Sequence, residues 1–158
     1  MKVIWAPWRM KYILSEKSEE CLFCEKANQK KDKENYILLR GKRAFIILNT
    51  FPYNNGHLMV VPYRHLANLE ELSQQELSEL TSLVMKGVTS LKEALNPDGF
   101  NIGLNLGEAA GAGIKDHLHV HIVPRWSEDN NFMPVVANTK VIMESLDDTY
   151  KKLSKAME

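Results

Sequence analysis

The sequence predicts an α+β domain in which one antiparallel sheet of about five strands carries its helices on one face. Three observations lead there. Runs rich in β-branched and aromatic residues fall into two groups, 36–61 and 100–123, and the short connections inside each group favour antiparallel pairing. Between the groups lies one long stretch of helical spacing, opened by a capping signature. Further helical patterns stand at the two ends, so helices and strands are segregated rather than alternating.

Along the chain, residues 6–14 and 22–30 read as short helices around the polar link SEKSEE, and KKDKE (30–34) reads as a charged loop. Runs 36–40, 43–49 and 57–61 read as strands, the first two joined by a tight turn at Gly41 and Lys42. TFPYNNG (50–56) is a loop, marked by Pro52, Asn54, Asn55 and Gly56. Ser73 followed by Glu76 is a capping box, and Leu77, Leu80, Val84, Val88, Leu91 and Leu95 keep helical spacing behind it. Asn96, Pro97, Asp98 and Gly99 end that helix. Run 100–105 is a strand, GEAAGAG (107–113) a glycine-rich loop, and 117–123 the last strand. Asn138 is a candidate cap for a final helix whose Ile142, Leu146, Tyr150 and Leu153 form an apolar stripe. The whole reads as one domain, with an N-terminal arm to residue 34, a core over 35–126 and a helical extension over 127–158. Trp5 and Trp8, beside Arg9, are expected to pack on the body.

With 158 residues, 44% hydrophobic and 25% charged, the chain has the size and composition of an ordinary globular domain. Lys plus Arg and Asp plus Glu both total 20, so no global basic field points to nucleic acid or a membrane surface. Any anionic ligand must then be held by local donors. No apolar run reaches the length of a signal-peptide core or a membrane span, so a cytoplasmic protein is expected. The two cysteines, Cys21 and Cys24 in CLFC, suit half of a zinc site or a redox dithiol better than a disulfide there. A redox centre would open a helix directly after a core strand, and the polar SEKSEE stands in that place.

Chemistry concentrates in HLHVHIV (117–123), which holds three of the five histidines. A strand rises ~3.3 Å per residue and alternates faces, so His117, His119 and His121 share one face at steps of ~6.6 Å. Imidazole is the side chain most easily tuned to nucleophile, acid or metal ligand near neutral pH, and three in a row suit a reaction centre or metal site. One ion shared by all three fits poorly, because ligand atoms around a metal lie roughly 3–3.5 Å apart. The glycines of 107–113 free the backbone to aim N–H groups at a phosphate. Asn101, Gly103 and Asn105 share one face of their strand. Pairing beside the histidine strand would bring Asn105 to the pocket of His119 and His121. His57, facing away from Leu58 and Val60, reads as a buried, satisfied histidine and not as a catalytic group. Trp126 has the better claim to a ligand or subunit contact.

HLHVHIV resembles the signature of the histidine triad (HIT) family. FIILNTFPYNNGHLMVVPYRH (45–65) is similar to the first half of that family's sheet, and NLGEAAGAGIKDHLHVHIVPRW (105–126) to its active-site hairpin. With CLFC, the likeness covers most of 21–126. WAPWRMKYI and VPRW resemble the branch that contains bacterial diadenosine tetraphosphate phosphorylases. The resemblance implies an HIT-like fold and a homodimer joining two half-sheets, for which the helix over 84–95 and Trp126 are the candidate contacts. It implies a nucleotidyl-transferring enzyme that cleaves diadenosine polyphosphates. His119 would attack the α-phosphate of the purine nucleotide to give a nucleotidyl-histidine, discharged by water or inorganic phosphate. The attacking imidazole must be neutral, so its other nitrogen needs an acceptor, and a backbone carbonyl of the strand is the expected one. His121 would donate to a phosphate or bridging oxygen, with Asn105 and the backbone around Gly111 and Gly113 as further donors. Asn49 would hold the ribose, and Phe45 and Ile47 would flank the base. Cys21, Cys24, His65 and His117 would form a closed structural zinc set, and Mg²⁺ is a candidate counter-ion for the substrate phosphates.

Two other functions stay open at this point: hydrolysis of nucleoside phosphoramidates or dinucleotides, and purine-nucleotide binding without significant turnover. Relatives that act on phosphoramidates carry Ser or Thr ahead of the triad to protonate an amine, where this chain has Gly113, Ile114, Lys115 and Asp116. The alternative to zinc is two free thiols with His117 bound to polar neighbours.

Overall fold

The computed structural model describes residues 20–127, 129 and 141–158. Five strands form one antiparallel sheet: β1 (Ile37–Arg40), β2 (Ala44–Leu48), β3 (Leu58–Pro62), β4 (Gly99–Gly103) and β5 (Val120–Arg125). Their spatial order is β1-β2-β3-β5-β4. The helices are α1 (Leu22–Asn28), α2 (Asp32–Asn35), α3 (Gln74–Leu95) and α4 (Leu146–Met157). Thus α3 carries the chain across to the far edge of the sheet, and β5 returns into the gap between β3 and β4.

Alternation along the strands divides the packing into two layers. Ala44, Ile46, Leu48, Leu58, Val60 and Ile122 meet Leu80, Leu83 and Leu91 of α3 and Leu153 and Met157 of α4. On the opposite face Phe45, Ile47, Met59 and Val61 close over with Ile37 and with Phe23 of α1. The two long helices therefore share one face, as the sequence predicts, while α1 covers part of the other. Central β2 and β3 are buried at every position, which is why they read as continuous apolar runs.

The α3 helix begins as its signature requires. Ser73 Oγ accepts from Glu76 N at 3.2 Å, and the Glu76 carboxylate accepts from Ser73 N at 2.8 Å. Arg64 also holds that carboxylate, and together these bonds bring its pKa down to about 2. Gly87 sets the helix close to the sheet, since a Cβ there would lie 2.9 Å from Ile122 Cδ1. The apolar residues of 84–95 are packed against the molecule, with Leu91 fully buried, except Met85, which is strongly exposed. Trp126 is half-buried, its indole N–H donating to Asn96 O at 3.2 Å at the left-handed end of α3.

Four boundaries differ from the sequence reading, each for a local reason. KKDKE is no simple loop: Asp32 opens the single turn α2 and takes a two-pronged bond from Arg40 Nε and Nη2 (3.0 and 2.8 Å). Regular pairing of the histidine strand begins only at Val120, because Pro62 at the end of β3 has no N–H to extend the ladder. Leu118 N instead donates to Leu66 O at 2.7 Å. At its other side β4 stops at Gly103, opposite His121, which leaves Asn105 beyond the strand. Finally, α4 is capped by Ser145, whose Oγ accepts from Asp148 N, and Ile142 lies ahead of the helix. The proposed cap Asn138, the helix over 6–14, and Trp5 and Trp8 fall outside the described residues.

Candidate active site

Register places the histidines. His121 pairs with Met59 of β3 and with Gly103 of β4, so its side chain lies on the α1 face of the sheet. His119 precedes the ladder on the same face, its ring 4.7 Å from that of His121 and nearly perpendicular to it. Both are buried, at 5% and 9% exposure.

Each ring's tautomer follows from its partners. His119 Nδ1 lies 2.8 Å from the carbonyl of His117. A carbonyl only accepts, so Nδ1 carries the hydrogen and Nε2 keeps a free lone pair. This is the backbone acceptor that the sequence reading calls for. His57 Nδ1 accepts from Tyr53 N at 3.1 Å and lies 3.3 Å from Asn49 Nδ2. Its hydrogen is therefore on Nε2, which donates to His121 Nδ1 at 2.8 Å. His121 is left with a hydrogen on Nε2. Two neighbouring imidazoles thus present opposite faces of the same chemistry, a lone pair on one and an N–H on the other.

Burial favours the neutral form of all three rings. It pushes the pKa of His57 down to about 3 and that of His121 to about 4, with the neighbouring imidazoles adding to the shift. Burial lowers that of His119 too, against the opposing pull of the His117 carbonyl.

A cleft of about 220 Å³ opens beside His121, walled by Tyr53, Asn101, Gly103 and Asn105 among others. Tyr53 lies over both His57 and His121, with ring centroids 4.8 and 5.7 Å away. Asn105 reaches the cleft and donates to Gly111 O at 3.4 Å. Gly111 has φ +83°, a conformation that favours glycine, whereas Gly113 stands exposed with open space around it. Asn49 is half-buried beside His57, its Oδ1 accepting from Phe51 N. Phe45 and Ile47 lie in the closed apolar layer under Phe23 and do not line the cleft.

The sequence reading turns His57 away from Leu58 and Val60, toward the side of the site, and takes it for a buried, satisfied histidine rather than a catalytic one. It is indeed fully buried and satisfied, yet its partner is His121 itself. Alternation with Leu58 and Val60 puts it on the histidine face; what the sequence does not disclose is the partner.

The first histidine belongs elsewhere. Cys21, Cys24, His65 and His117 offer ligand atoms that all lie within 4.8 Å of one another. His117 Nε2–H donates to Pro62 O at 2.8 Å, which turns the Nδ1 lone pair toward Cys21 Sγ (3.2 Å) and Cys24 Sγ (3.5 Å). Cys24 Sγ lies 3.4 Å from His65 Nδ1. Two sulfurs and two imidazole nitrogens, one of them aimed by a carbonyl behind it, are a donor set that fits a metal ion. Phe23, between the two cysteines, touches both His117 and His119, with centroids 5.4 and 5.2 Å away.

A buried pair of histidines on an antiparallel sheet here presents one free lone pair beside one N–H. Residues 30–128 match the family model described as HIT domain. The chain is 42% identical over 160 residues to the AP-4-A phosphorylase of Mycobacterium tuberculosis (strain ATCC 25618 / H37Rv), covering 96% of this chain and 82% of that one. The chain belongs to the HIT domain family. A hypothetical histidine triad nucleotide-binding protein from Sulfolobus tokodaii strain7 superposes with a TM-score of 0.68 at 31% identity, covering 87% of this chain and 89% of that one. A Zn-bound histidine triad family protein from Mycobacterium smegmatis shares the fold, with a TM-score of 0.70 at 22% identity over 87% of this chain and 93% of that one. Among the described residues no helix is long and apolar enough to cross a membrane.

Proposed function

We propose that the protein is a nucleotidyl-transferring enzyme that cleaves diadenosine polyphosphates through a covalent intermediate on His119. The pairing of tautomers carries this reading: a buried lone pair on His119 beside a buried N–H on His121. The likeness to an AP-4-A phosphorylase supports the substrate class.

In the first step His119 Nε2 bonds to the α-phosphorus, and the bond from phosphorus to the bridging oxygen breaks. The departing nucleoside polyphosphate takes the electron pair. The imidazole becomes cationic, and the His117 carbonyl on Nδ1–H stabilises that charge. His121, neutral and bearing Nε2–H, donates a hydrogen bond to a phosphoryl oxygen. Full proton transfer from a neutral imidazole would leave an imidazolate, so His121 stabilises charge rather than supplying a proton. A polyphosphate departs as an anion and needs no proton; an amine does. That difference, with no Ser or Thr over 113–116, favours polyphosphates over phosphoramidates.

In the second step an oxygen of phosphate or water bonds to phosphorus, the N–P bond breaks and His119 regains its lone pair. Phosphate gives a nucleoside diphosphate and water a monophosphate. We assign Asn49 to the ribose, Phe45 and Ile47 to support behind the base, and Asn105 with the Gly111 and Gly113 backbone to phosphate oxygens. Mg²⁺ would accompany the substrate's phosphates. Cys21, Cys24, His65 and His117 would hold structural Zn²⁺, which staples the N-terminal arm to the segment leading into β5. We infer a cytoplasmic homodimer, in keeping with the open edge of β4, where Ile102 is half-exposed.

The test is brief mixing with diadenosine tetraphosphate followed by mass spectrometry, expecting one adenylyl adduct on His119. His119→Ala should lose the adduct and at least ~10⁴-fold in turnover. A variant that keeps full activity would end the reading. Product analysis with and without phosphate separates the acceptors, and a diphosphate product that requires phosphate is the expected result.

A further inference from the structure

Four consecutive residues ahead of β3 are each fastened to a different part of the molecule. Asn54, 6% exposed, donates through Nδ2 to Pro124 O at the end of β5 (3.0 Å) and to Asp129 Oδ2 (2.8 Å). Asp129 is held in turn by Arg125 Nε at 2.6 Å. Asn55 donates to Glu144 Oε2 at 3.4 Å and lies 3.2 Å from the hydroxyl of Thr149 in α4. That hydroxyl, on a residue only 1% exposed, is also 2.9 Å from Glu144 Oε2, and Lys152 pairs with the same carboxylate. Gly56, at φ +74°, sits against α3, where a Cβ would lie 2.5 Å from Leu95 Cδ1. His57 then holds His121.

Loops normally run over the surface and move more than the elements they connect. This one has a buried and a half-buried asparagine, each with specific partners outside the histidine pair. A buried asparagine costs stability unless its amide is satisfied, so such residues fit only where the partners are fixed. Neither asparagine lines the cleft beside His121 or bonds to His119. What they share is the chain that carries His57.

We propose that Asn54 and Asn55 are positioning residues of the transfer reaction, holding His57 at hydrogen-bonding distance from His121 by tying its loop to the end of β5 and to α4. The proposal rests on the nucleotidyl-transfer reading above. The C-terminal helix is then part of the catalytic apparatus, although it lies on the far face of the sheet. Small misplacements of a catalytic group cost on the order of 10²-fold in rate, so loss of either tie should be visible in turnover.

Two side chains allow a clean test. Thr149→Val keeps shape and removes the hydroxyl; Thr149→Ser keeps the hydroxyl and removes a methyl. Asn54→Ala removes the other tie. In ¹⁵N-histidine-labelled full-length protein, the nitrogen–nitrogen coupling across the His57–His121 hydrogen bond reports its geometry directly. Thr149→Val and Asn54→Ala should lower kcat about 10- to 100-fold with KM changed less than about twofold, and weaken that coupling. Thr149→Ser should restore most of both. The proposal is overturned if the folded Val and Ala variants keep kcat and coupling, or if Ser is as damaging as Val, which would mark a packing role. Should the wild-type chain not turn over diadenosine tetraphosphate, the transfer reading falls. The coupling then still decides whether the two asparagines hold the histidine pair.

Discussion

At the scale of the residue, the site depends on which nitrogen of each ring carries hydrogen. His119 is set by one carbonyl of its own strand, and His121 by another histidine, which is set by a backbone N–H and by Asn49. The second arrangement is the more fragile, because every member is exchangeable. His57→Leu should leave His121 Nδ1 without a donor and free the ring to turn, lowering the rate of adduct formation on His119 by roughly 10²-fold. His57→Gln, whose amide can donate to the same nitrogen, should recover part of the loss. Rapid-quench measurement of the adenylyl adduct separates this from slow discharge of the intermediate, and equal rates for the Leu variant and wild type would remove His57 from the mechanism. The place of His119 beside His121 on one face was legible from the sequence because strand alternation sets it. The partner of His57 was not, because a histidine among aliphatic residues looks the same whether its partner is a backbone carbonyl or a catalytic ring.

At the scale of the element, α1 is short and has one buried side chain to hold it. Its seven residues are too few to form a stable helix alone, and only Phe23 among them is buried. The Cys/His cluster joins this turn to residues 41 to 96 positions away, so a metal held there would close long loops and restrict the unfolded chain. Purified protein should contain one metal ion per chain. Its removal by chelation should lower the melting temperature by about 5–10 °C, equivalent to about 2–3 kcal/mol for a domain of this size. Elemental analysis beside calorimetry checks this, and an unchanged melting temperature in metal-free protein would deny the cluster a structural role. The same elements show what a sequence discloses. Capped, periodic α3 and the alternating strands were legible because their signals are local. The start of α2, the late start of β5 and the cap of α4 were not, because Arg40, Pro62 and Ser145 act through partners or positions that periodicity does not encode.

At the scale of the whole molecule, the buried histidines make stability depend on pH in a definite direction. An unfolded imidazole takes up a proton near pH 6.5, whereas His121 and His57 in the fold stay neutral down to about 4 and 3. Between those limits the unfolded chain binds more protons, so stability is complete above pH 6.5 and falls as acid is added. At pH 5.5 each ring that stays neutral costs about 1.4 kcal/mol relative to neutral pH, or about 3 kcal/mol for the pair. Carboxylates add a separate loss at lower pH. Glu76, held down to about 2 by Arg64 and the Ser73 backbone, contributes stability that disappears as pH falls from 4.5 toward 2. Urea unfolding at pH 7.5, 6.5 and 5.5 reads the histidine part in a window above the range in which Glu76 titrates. Ligand protonation at the Cys/His cluster would act in the same direction, so the decisive comparison is His57→Gln, which removes one buried imidazole and leaves the cluster intact. Its stability should decline less steeply than wild type between pH 7.5 and 5.5, by about 1.4 kcal/mol. Parallel slopes for the two proteins would mean that His57 takes up its proton in the fold as readily as in the unfolded chain, and that burial does not hold the ring neutral at pH 5.5.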